Sequence, residues 1–159
     1  MSDNFPQCFD LLMGNEGGYT VDNGGPTMWG MTQAVARAWG YKGDMKLLPK
    51  QTAMEIARAK YWDPFHCSLF QAPIAFQLFD TAYNGGRPVQ WLQSIANTTA
   101  VGSGLAAALS TMNTWEVVAR FNALRLQYLA SLKQPQYANG RMNRIATNII
   151  HGGSLKDAT

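Results

Sequence analysis

Charged residues are scarce in this 159-residue chain. They make up 14% of it, against 47% hydrophobic residues, which excludes a disordered or charge-driven tail protein and predicts a single folded domain. Acidic residues are scarcer than basic ones, and the net charge is +3. This excess favours an anionic partner without choosing between nucleic acid, teichoic acid, outer-membrane lipid and cell-wall polymer.

Long apolar runs and close cysteine pairs are also missing. No run approaches the roughly 20 apolar residues that cross a bilayer, and the first ten residues, MSDNFPQCFD, lack the basic and apolar parts of a signal peptide. We therefore expect a soluble chain made in the cytoplasm. Of the two cysteines, Cys8 lies on an apolar helical face and is expected to be a buried, reduced thiol.

Several catalytic motifs are absent. The glycines do not form the G-x-x-x-x-G-K-[ST] loop that holds nucleotide phosphates, and there is no G-x-S-x-G nucleophile motif. His66, Cys67 and the distant His151 do not have metal-ligand spacing. The sequence therefore implies neither a metal nor a cofactor.

Helical periodicity dominates the chain. Phe5, Cys8, Phe9, Leu12 and Met13 recur at the spacing of an amphipathic helix over residues 5 to 14. Further helices are predicted near 32–40, 51–62 (opened by a Thr52-x-x-Glu55 capping box), 73–84, 88–97, 105–112, 114–132 and 139–150. Only residues 18 to 31, with their glycine turn, predict a short β-hairpin. The fold class is mainly α with one short hairpin.

Elimination singles out Glu16 among the three glutamates. Glu55 is explained by its capping box and Glu116 by the start of a helix. Glu16 follows the end of the first helix, near its negative pole, where a raised pKa is expected. A carboxyl group that keeps its proton near neutral pH suits a general acid.

Asp22 and Thr27 follow Glu16 in a glycine-rich stretch, NEGGYTVDNGGPTMWGMT. If the chain folds back, which Gly17 and Gly18 permit, Glu16 and Asp22 can face one cleft, as glycosidic cleavage by two carboxyl groups requires. Thr27 could position a water molecule. The alternative is that DNGGP is an ordinary turn, with Asp22 as its hydrogen-bonding first residue.

Other polar and aromatic side chains are candidates for sugar contacts. Asp80 and Asn84 share one face of a helix, with Tyr83 beside them, and the alternative for them is an exposed polar helix end. Tyr19 and Trp29 flank the glycine turn, where an aromatic ring can stack on a sugar.

DNA binding is the main alternative of another class. The stretch TQAVARAWGYKGDMKLLPKQTAMEIARAKY has the rhythm of a helix-turn-helix. Its second helix offers only Gln51, Arg58 and Lys60 for base contacts, and the motif leaves NEGGY unexplained. No nucleic-acid partner is therefore predicted.

The run EGGYTVDNGGPTMWGMT resembles the signature of the glycoside hydrolase family 108 N-acetylmuramidases, which include phage endolysins and bacterial muramidases or secretion-activating proteins. The similarity continues through Tyr61–Trp62 and FDTAYNGG to WLQ at residues 91–93. The stretches AVGSGLAAAL and NGRMNR are similar to the peptidoglycan-binding region that follows in this family.

The resemblance implies a lysozyme-like helical fold and hydrolysis of the β-1,4 bond between N-acetylmuramic acid and N-acetylglucosamine in peptidoglycan. It implies Glu16 as the catalytic acid, and the Glu, Asp, Thr order is similar to that of phage T4-type lysozymes, which adds Asp22 and Thr27. It divides the chain into a catalytic region (1–95), a peptidoglycan-binding-like helical region (96–150) packed into the same compact unit, and a polar tail (151–159). We expect a monomeric endolysin that reaches the wall through a holin or another export route. A lytic transglycosylase, or a non-catalytic peptidoglycan-binding or secretion-assisting protein, is the alternative.

Overall fold

The computed structural model describes residues 3–14 and 18–159. This part of the chain is mainly helical with one small sheet, which confirms the predicted fold class. Its helices are α1 Phe5–Met13, α2 Gln33–Trp39, α3 Lys50–Ala57, α4 Ala72–Asn84, α5 Pro88–Ala96, α6 Gly102–Ser110, α7 Thr114–Ser131 and α8 Ala138–Thr147. Its strands are β1 Thr20–Asp22, β2 Gly25–Met28 and β3 Met31–Thr32.

Helix α1 forms as its periodicity predicts. All five apolar residues named for it are buried, and Pro6 lies in the first turn, where its missing N–H costs no helical hydrogen bond. Phe5 makes edge contacts with Trp62 and Phe79, with ring centroids 5.3 and 5.8 Å apart. Both cysteines are buried free thiols, as expected for Cys8.

The predicted hairpin is a three-stranded antiparallel sheet in the order β1, β2, β3. Trp29 and Gly30 connect β2 to β3, and both have positive φ (54° and 67°), as a type I′ turn requires. The turn leads into β3, a strand that the sequence pattern did not predict as distinct from the start of α2. Thr32 ends the sheet and caps α2, because its Oγ1 accepts a hydrogen bond from Val35 N at 3.3 Å.

The capping box predicted at Thr52 and Glu55 is wrong. Helix α3 begins earlier, at Lys50, directly after Pro49, whose fixed φ of −62° leads into the first turn. Thr52 therefore lies inside the helix, and exposed Glu55 accepts a hydrogen bond from Gln51 Nε2 at 3.2 Å. A π-helical turn, Arg58–Trp62, follows and buries the Trp62 indole.

Helix α4 forms the centre of the molecule, with every residue from Ala72 to Thr81 buried. It contacts α1, α5 and α7, as well as the π-helical turn Asn148–Gly152 that follows α8. Gln77 joins two of these neighbours: its Nε2 donates to Asn148 O at 2.9 Å, and its Oε1 accepts from Asn122 Nδ2 at 3.1 Å. The catalytic and C-terminal regions inferred from the sequence thus share one core.

The C-terminal residues pack against the N-terminal part of the chain. Asp157 Oδ1 accepts hydrogen bonds from Asn4 Nδ2 (2.9 Å) and from Ala72 N (2.7 Å), so it caps the start of α4. Gly152 and Gly153 are buried. The segment inferred as a polar tail is therefore a docked part of the fold. None of the helices in the described residues is long and apolar enough to cross a bilayer.

Candidate functional site

The end of α1 leads into the candidate site. The helix closes at Gly14, which has a φ of 45° and donates its N–H to Asp10 O at 3.0 Å. Glu16, the predicted acid, lies outside the described residues. The site is therefore described from the residues at the end of α1 and the cavities that they line.

A small cavity lies beside the last turn of α1. It has a volume of about 110 Å³, and it brings together residues from α1, the β2–β3 turn, the end of α4 and α8. Its lining consists of Leu12, Met13, Gly30, Tyr83, Asn84 and Arg144. Tyr83 and Asn84, two of the predicted sugar contacts, thus lie together beside the helix that precedes Glu16.

Two larger cavities share Arg144 with this one. One, of about 200 Å³, lies between the end of α4 and helices α7 and α8. The other, of about 480 Å³, lies between the end of α1 and α8. A polymeric substrate needs such an extended surface, because several of its units must be held on either side of the bond that reacts.

Asp22 lies at the tip of the sheet, exposed to solvent. Its Oδ1 accepts a hydrogen bond from Gly24 N at 2.8 Å, and it pairs with Gly25 across the hairpin. This is the geometry of the ordinary Asx-turn alternative. A catalytic role for Asp22 stays a prediction, since the exposed carboxylate keeps its other oxygen for a further contact.

Thr27 lies in the middle strand, half-buried. It pairs with Thr20 on β1 and with Thr32 on β3, so three threonines cross the sheet side by side. A hydroxyl on one face of this row is a suitable water-binding group, and that role stays a prediction.

The two aromatic candidates of the sheet have different environments. Tyr19 is 38% exposed, and Lys46 Nζ lies 5.2 Å from its ring centroid. Trp29 is half-buried, and its Nε1 donates to Leu48 O at 2.9 Å, which fixes its indole against the loop after α2. Its left-handed φ is unusual for a bulky residue, and this side-chain anchor helps to hold it. Tyr19 therefore offers the more accessible ring.

Tyr83 connects the sheet to α4. Its hydroxyl donates to Trp29 O at 3.4 Å, and its ring packs against Tyr61 with centroids 4.7 Å apart. Burial, and then the neighbouring Tyr61, raise the pKa of Tyr83 above its ordinary value of 10.0. The hydroxyl therefore keeps its proton and serves as a hydrogen-bond donor at neutral pH.

Asp80 is the centre of a buried polar cluster rather than an exposed helix end. It is 1% exposed, and its carboxylate pairs with Arg125 Nη1 at 2.6 Å and with Arg144 Nη1 at 3.2 Å. Asn148 Nδ2 donates to it at 2.8 Å and Asn84 Nδ2 at 3.3 Å. One carboxylate thus ties α4 to α7 and α8 and holds Arg144 beside the cavities.

The sequence analysis missed Arg125, Arg144 and Asn148. A signal for the arginines was available: from residue 81 onward the only acidic residues are Glu116 and Asp157, so an arginine buried in this part of the chain has few acidic partners nearby in sequence. Periodicity could not say which one, because the partner, Asp80, is 45, 64 and 68 residues away from them.

A comparison with protein families matches the part of the chain that contains the sheet. Residues 9–86 match the glycosyl hydrolase 108 family model. The matched part is just under half of the chain; it begins in α1, contains residue 16 and the whole sheet, and ends after α4. A glycosyl hydrolase 108 match supports a glycosidase.

The solved structure of Brucella abortus SagA shares the fold. It is 25% identical in sequence, and the alignment covers 93% of this chain and 92% of that chain with a TM-score of 0.76. The likeness therefore extends through the C-terminal helices, beyond the part that matches the glycosyl hydrolase 108 model, and agrees with the lysozyme-like fold expected from the sequence. A search of curated protein sequences gave no match.

Proposed function

We propose that this protein is a peptidoglycan hydrolase of the N-acetylmuramidase type, which cleaves the β-1,4 bond between N-acetylmuramic acid and N-acetylglucosamine. The observation that carries the proposal is the glycosyl hydrolase 108 match over residues 9–86, which contains the E-G-G-Y block and the sheet. No metal or cofactor enters the proposed reaction.

Two of the cavities around Arg144 border the last turn of α1, the helix that Glu16 follows in the sequence. Gly14 lines the cavity of about 480 Å³, and Met13 lines both that cavity and the one of about 110 Å³. A glycan held along these cavities would present a glycosidic oxygen near the end of α1.

In the proposed reaction Glu16 donates its proton to the leaving glycosidic oxygen. Asp22 is the second carboxylate, which acts on the other side of the sugar as a base or a nucleophile, and Thr27 holds the attacking water. Tyr19, Trp29, Tyr83 and Asn84 contact the substrate. Asp80 contributes by fixing Arg144 and Asn84, whose side chains line the cavities.

The test is clearing of chloroform-treated Gram-negative cells, followed as loss of turbidity. Glu16→Gln is expected to lower the rate by at least about 100-fold, since general acid catalysis contributes that much. Glu55→Gln is the matched control, because Glu55 is an exposed glutamate of α3 and lines none of the three cavities around Arg144. Equal clearing by wild type and Glu16→Gln, or no clearing by either, would show that the proposal is wrong.

Product analysis separates hydrolysis from the lytic transglycosylase alternative. A hydrolase leaves reducing N-acetylmuramic acid ends, whereas a transglycosylase leaves 1,6-anhydro ends that are lighter by one water. Mass spectrometry of the released muropeptides is expected to show reducing ends only. 1,6-Anhydro ends would show that the protein is a lytic transglycosylase and not a hydrolase.

We also propose that the protein acts as an endolysin, with holin-type or other export from the cytoplasm. Expression in a bacterium should then cause lysis only when a pore-forming holin is co-expressed. Lysis without the holin would contradict this export route.

A further inference from the structure

The cleft of about 480 Å³ between α1 and α8 contains a row of polar side chains that no step of the proposed reaction uses. Asn143, Thr147 and His151 recur at four-residue spacing, so they lie along one face of α8 and the turn after it. All three are exposed, and all three line the cleft.

The opposite wall is apolar and belongs to the last turn of α1. Leu11, Leu12 and Met13 form it, and Gly14 closes it. The floor holds Asp80 and Asn148, which are 1% and 3% exposed and bonded to each other at 2.8 Å. A ligand in this cleft therefore meets carbon atoms on one side and amide, hydroxyl and imidazole groups on the other.

The carboxylate of the cleft is not available to a cationic ligand, because Asp80 is already paired with both Arg125 and Arg144. A pyranose ring has an apolar face of C–H groups and a rim of hydroxyl groups, and this matches the two walls. The volume is also within the usual range of small-ligand sites, about 300 to 1,000 Å³.

We propose that the α1–α8 cleft is a carbohydrate subsite that binds an N-acetylhexosamine unit of the glycan strand next to the unit that reacts. The proposal rests on the proposed muramidase function. It assigns Asn143, Thr147 and His151 to hydrogen bonds with the sugar, and the apolar turn of α1 to its ring face.

Gly140 allows the cleft to be blocked without disturbing the fold. It lies on α8, it lines the cleft, and a Cβ built on it meets no atom within 4 Å. Gly140→Leu should therefore fill the cleft, whereas Gly140→Ala only adds a methyl group. Ala146→Leu is the matched control, because Ala146 is exposed on the same helix and lines none of the three cavities around Arg144.

The experiment measures binding of a peptide-free hexamer of N-acetylglucosamine to the Glu16→Gln protein by calorimetry and by NMR titration. We expect Gly140→Leu to weaken binding by about tenfold or more, and Gly140→Ala and Ala146→Leu to leave it within about twofold. Amide signals of Asn143, Thr147 and His151 should shift on titration, while Ala146→Leu keeps these shifts.

Three results would overturn the subsite. They are no binding of the hexamer, equal affinity of Gly140→Leu and Ala146→Leu, and a Gly140 effect seen only with muropeptides that carry a stem peptide. Because binding is measured on a protein designed not to turn over, it is independent of the proposed reaction. If wild type cleaves no glycan yet Gly140→Leu loses the hexamer, the hydrolase proposal fails and the sugar site stands.

Discussion

At the scale of single residues, Asp80 has the largest consequence for stability. Its carboxylate accepts hydrogen bonds from four side chains, and both it and Arg125 are almost fully buried. A buried cation that loses its partner cannot be compensated by water. The burial of Asp80 could not be predicted from its local pattern, since its ionic partners lie in α7 and α8.

Asp80→Asn is expected to lower the free energy of unfolding by about 3–5 kcal/mol, because it leaves the buried Arg125 uncompensated. Asp10→Asn is the control: the Asp10–Lys50 pair has the same 2.6 Å separation but is exposed to solvent. A pair of that kind contributes only about 0–1 kcal/mol. Urea unfolding of both variants measures the difference, and equal small losses would contradict the central role of Asp80.

The buried thiol of Cys8 leads to a prediction about pH. Burial, followed by the nearby Asp3 and Asp157, raises the pKa of Cys8 to about 12 from an ordinary 9.0. The native thiol therefore keeps its proton up to a higher pH than the unfolded one. Its contribution to stability is complete below about pH 9 and is lost as the pH rises toward 12.

Because burial raises the pKa of Cys8, the native thiol stays protonated at pH 8, and iodoacetamide should label it only through unfolding. Mass spectrometry is expected to show negligible labelling in native buffer and rapid labelling in denaturing urea. The free energy of unfolding should also fall between pH 9 and pH 12. Native labelling at the unfolded rate would mean that this thiol is accessible.

At the scale of elements, the sequence pattern predicted what depends on local periodicity. The five apolar positions of α1 are all buried, and α2 ends at Gly40, whose φ of 109° suits a glycine C-cap. The predicted start of α3 was wrong because Pro49, three residues ahead of the proposed cap Thr52, leads into the helix instead. The third strand was missed because two positive-φ residues, one of them a tryptophan, make its turn.

The π-helical turn Asn148–Gly152 is an element that no periodicity could indicate. It exists because Gly152 lets the backbone approach α4: a Cβ on Gly152 would lie 2.7 Å from Phe76 Cε1 and 2.9 Å from Gln77 Nε2. Contacts that short force neighbouring atoms to move. The same segment presents Asn148 to Asp80, so its position matters for the polar cluster.

Gly152→Ala is therefore expected to cost about 1–3 kcal/mol of unfolding free energy through overpacking. Gly140→Ala is a glycine-to-alanine change in open space on a neighbouring helix, and it should stabilise by about 0.5–1 kcal/mol. Thermal denaturation of the two variants gives the comparison. If both variants are more stable than the wild type, the side chains around Gly152 move aside at little cost in free energy, and the overpacking argument is wrong.

At the scale of the whole molecule, the sequence suggested a catalytic region (1–95) and a binding-like region (96–150) packed into one compact unit. Residues of both regions belong to one hydrophobic core. Helix α5 runs to Ala96 and contacts α6 and α7, and α4 contacts α7 and the turn after α8. The candidate site also combines residues of both regions, because Arg144 lines the cavities that residues of α1 and α4 also line.

A fragment of residues 1–95 is therefore expected not to fold, although it contains the matched span 9–86. It would keep Asp80 but lose Arg125, Arg144 and Asn148, and it would expose the part of α4 that packs on α7. Calorimetry of the full chain should show one cooperative transition, because one core joins both regions. The fragment should show no transition and low helical ellipticity in circular dichroism. Cooperative unfolding of the fragment, or two separate transitions in the full chain, would contradict a single shared core.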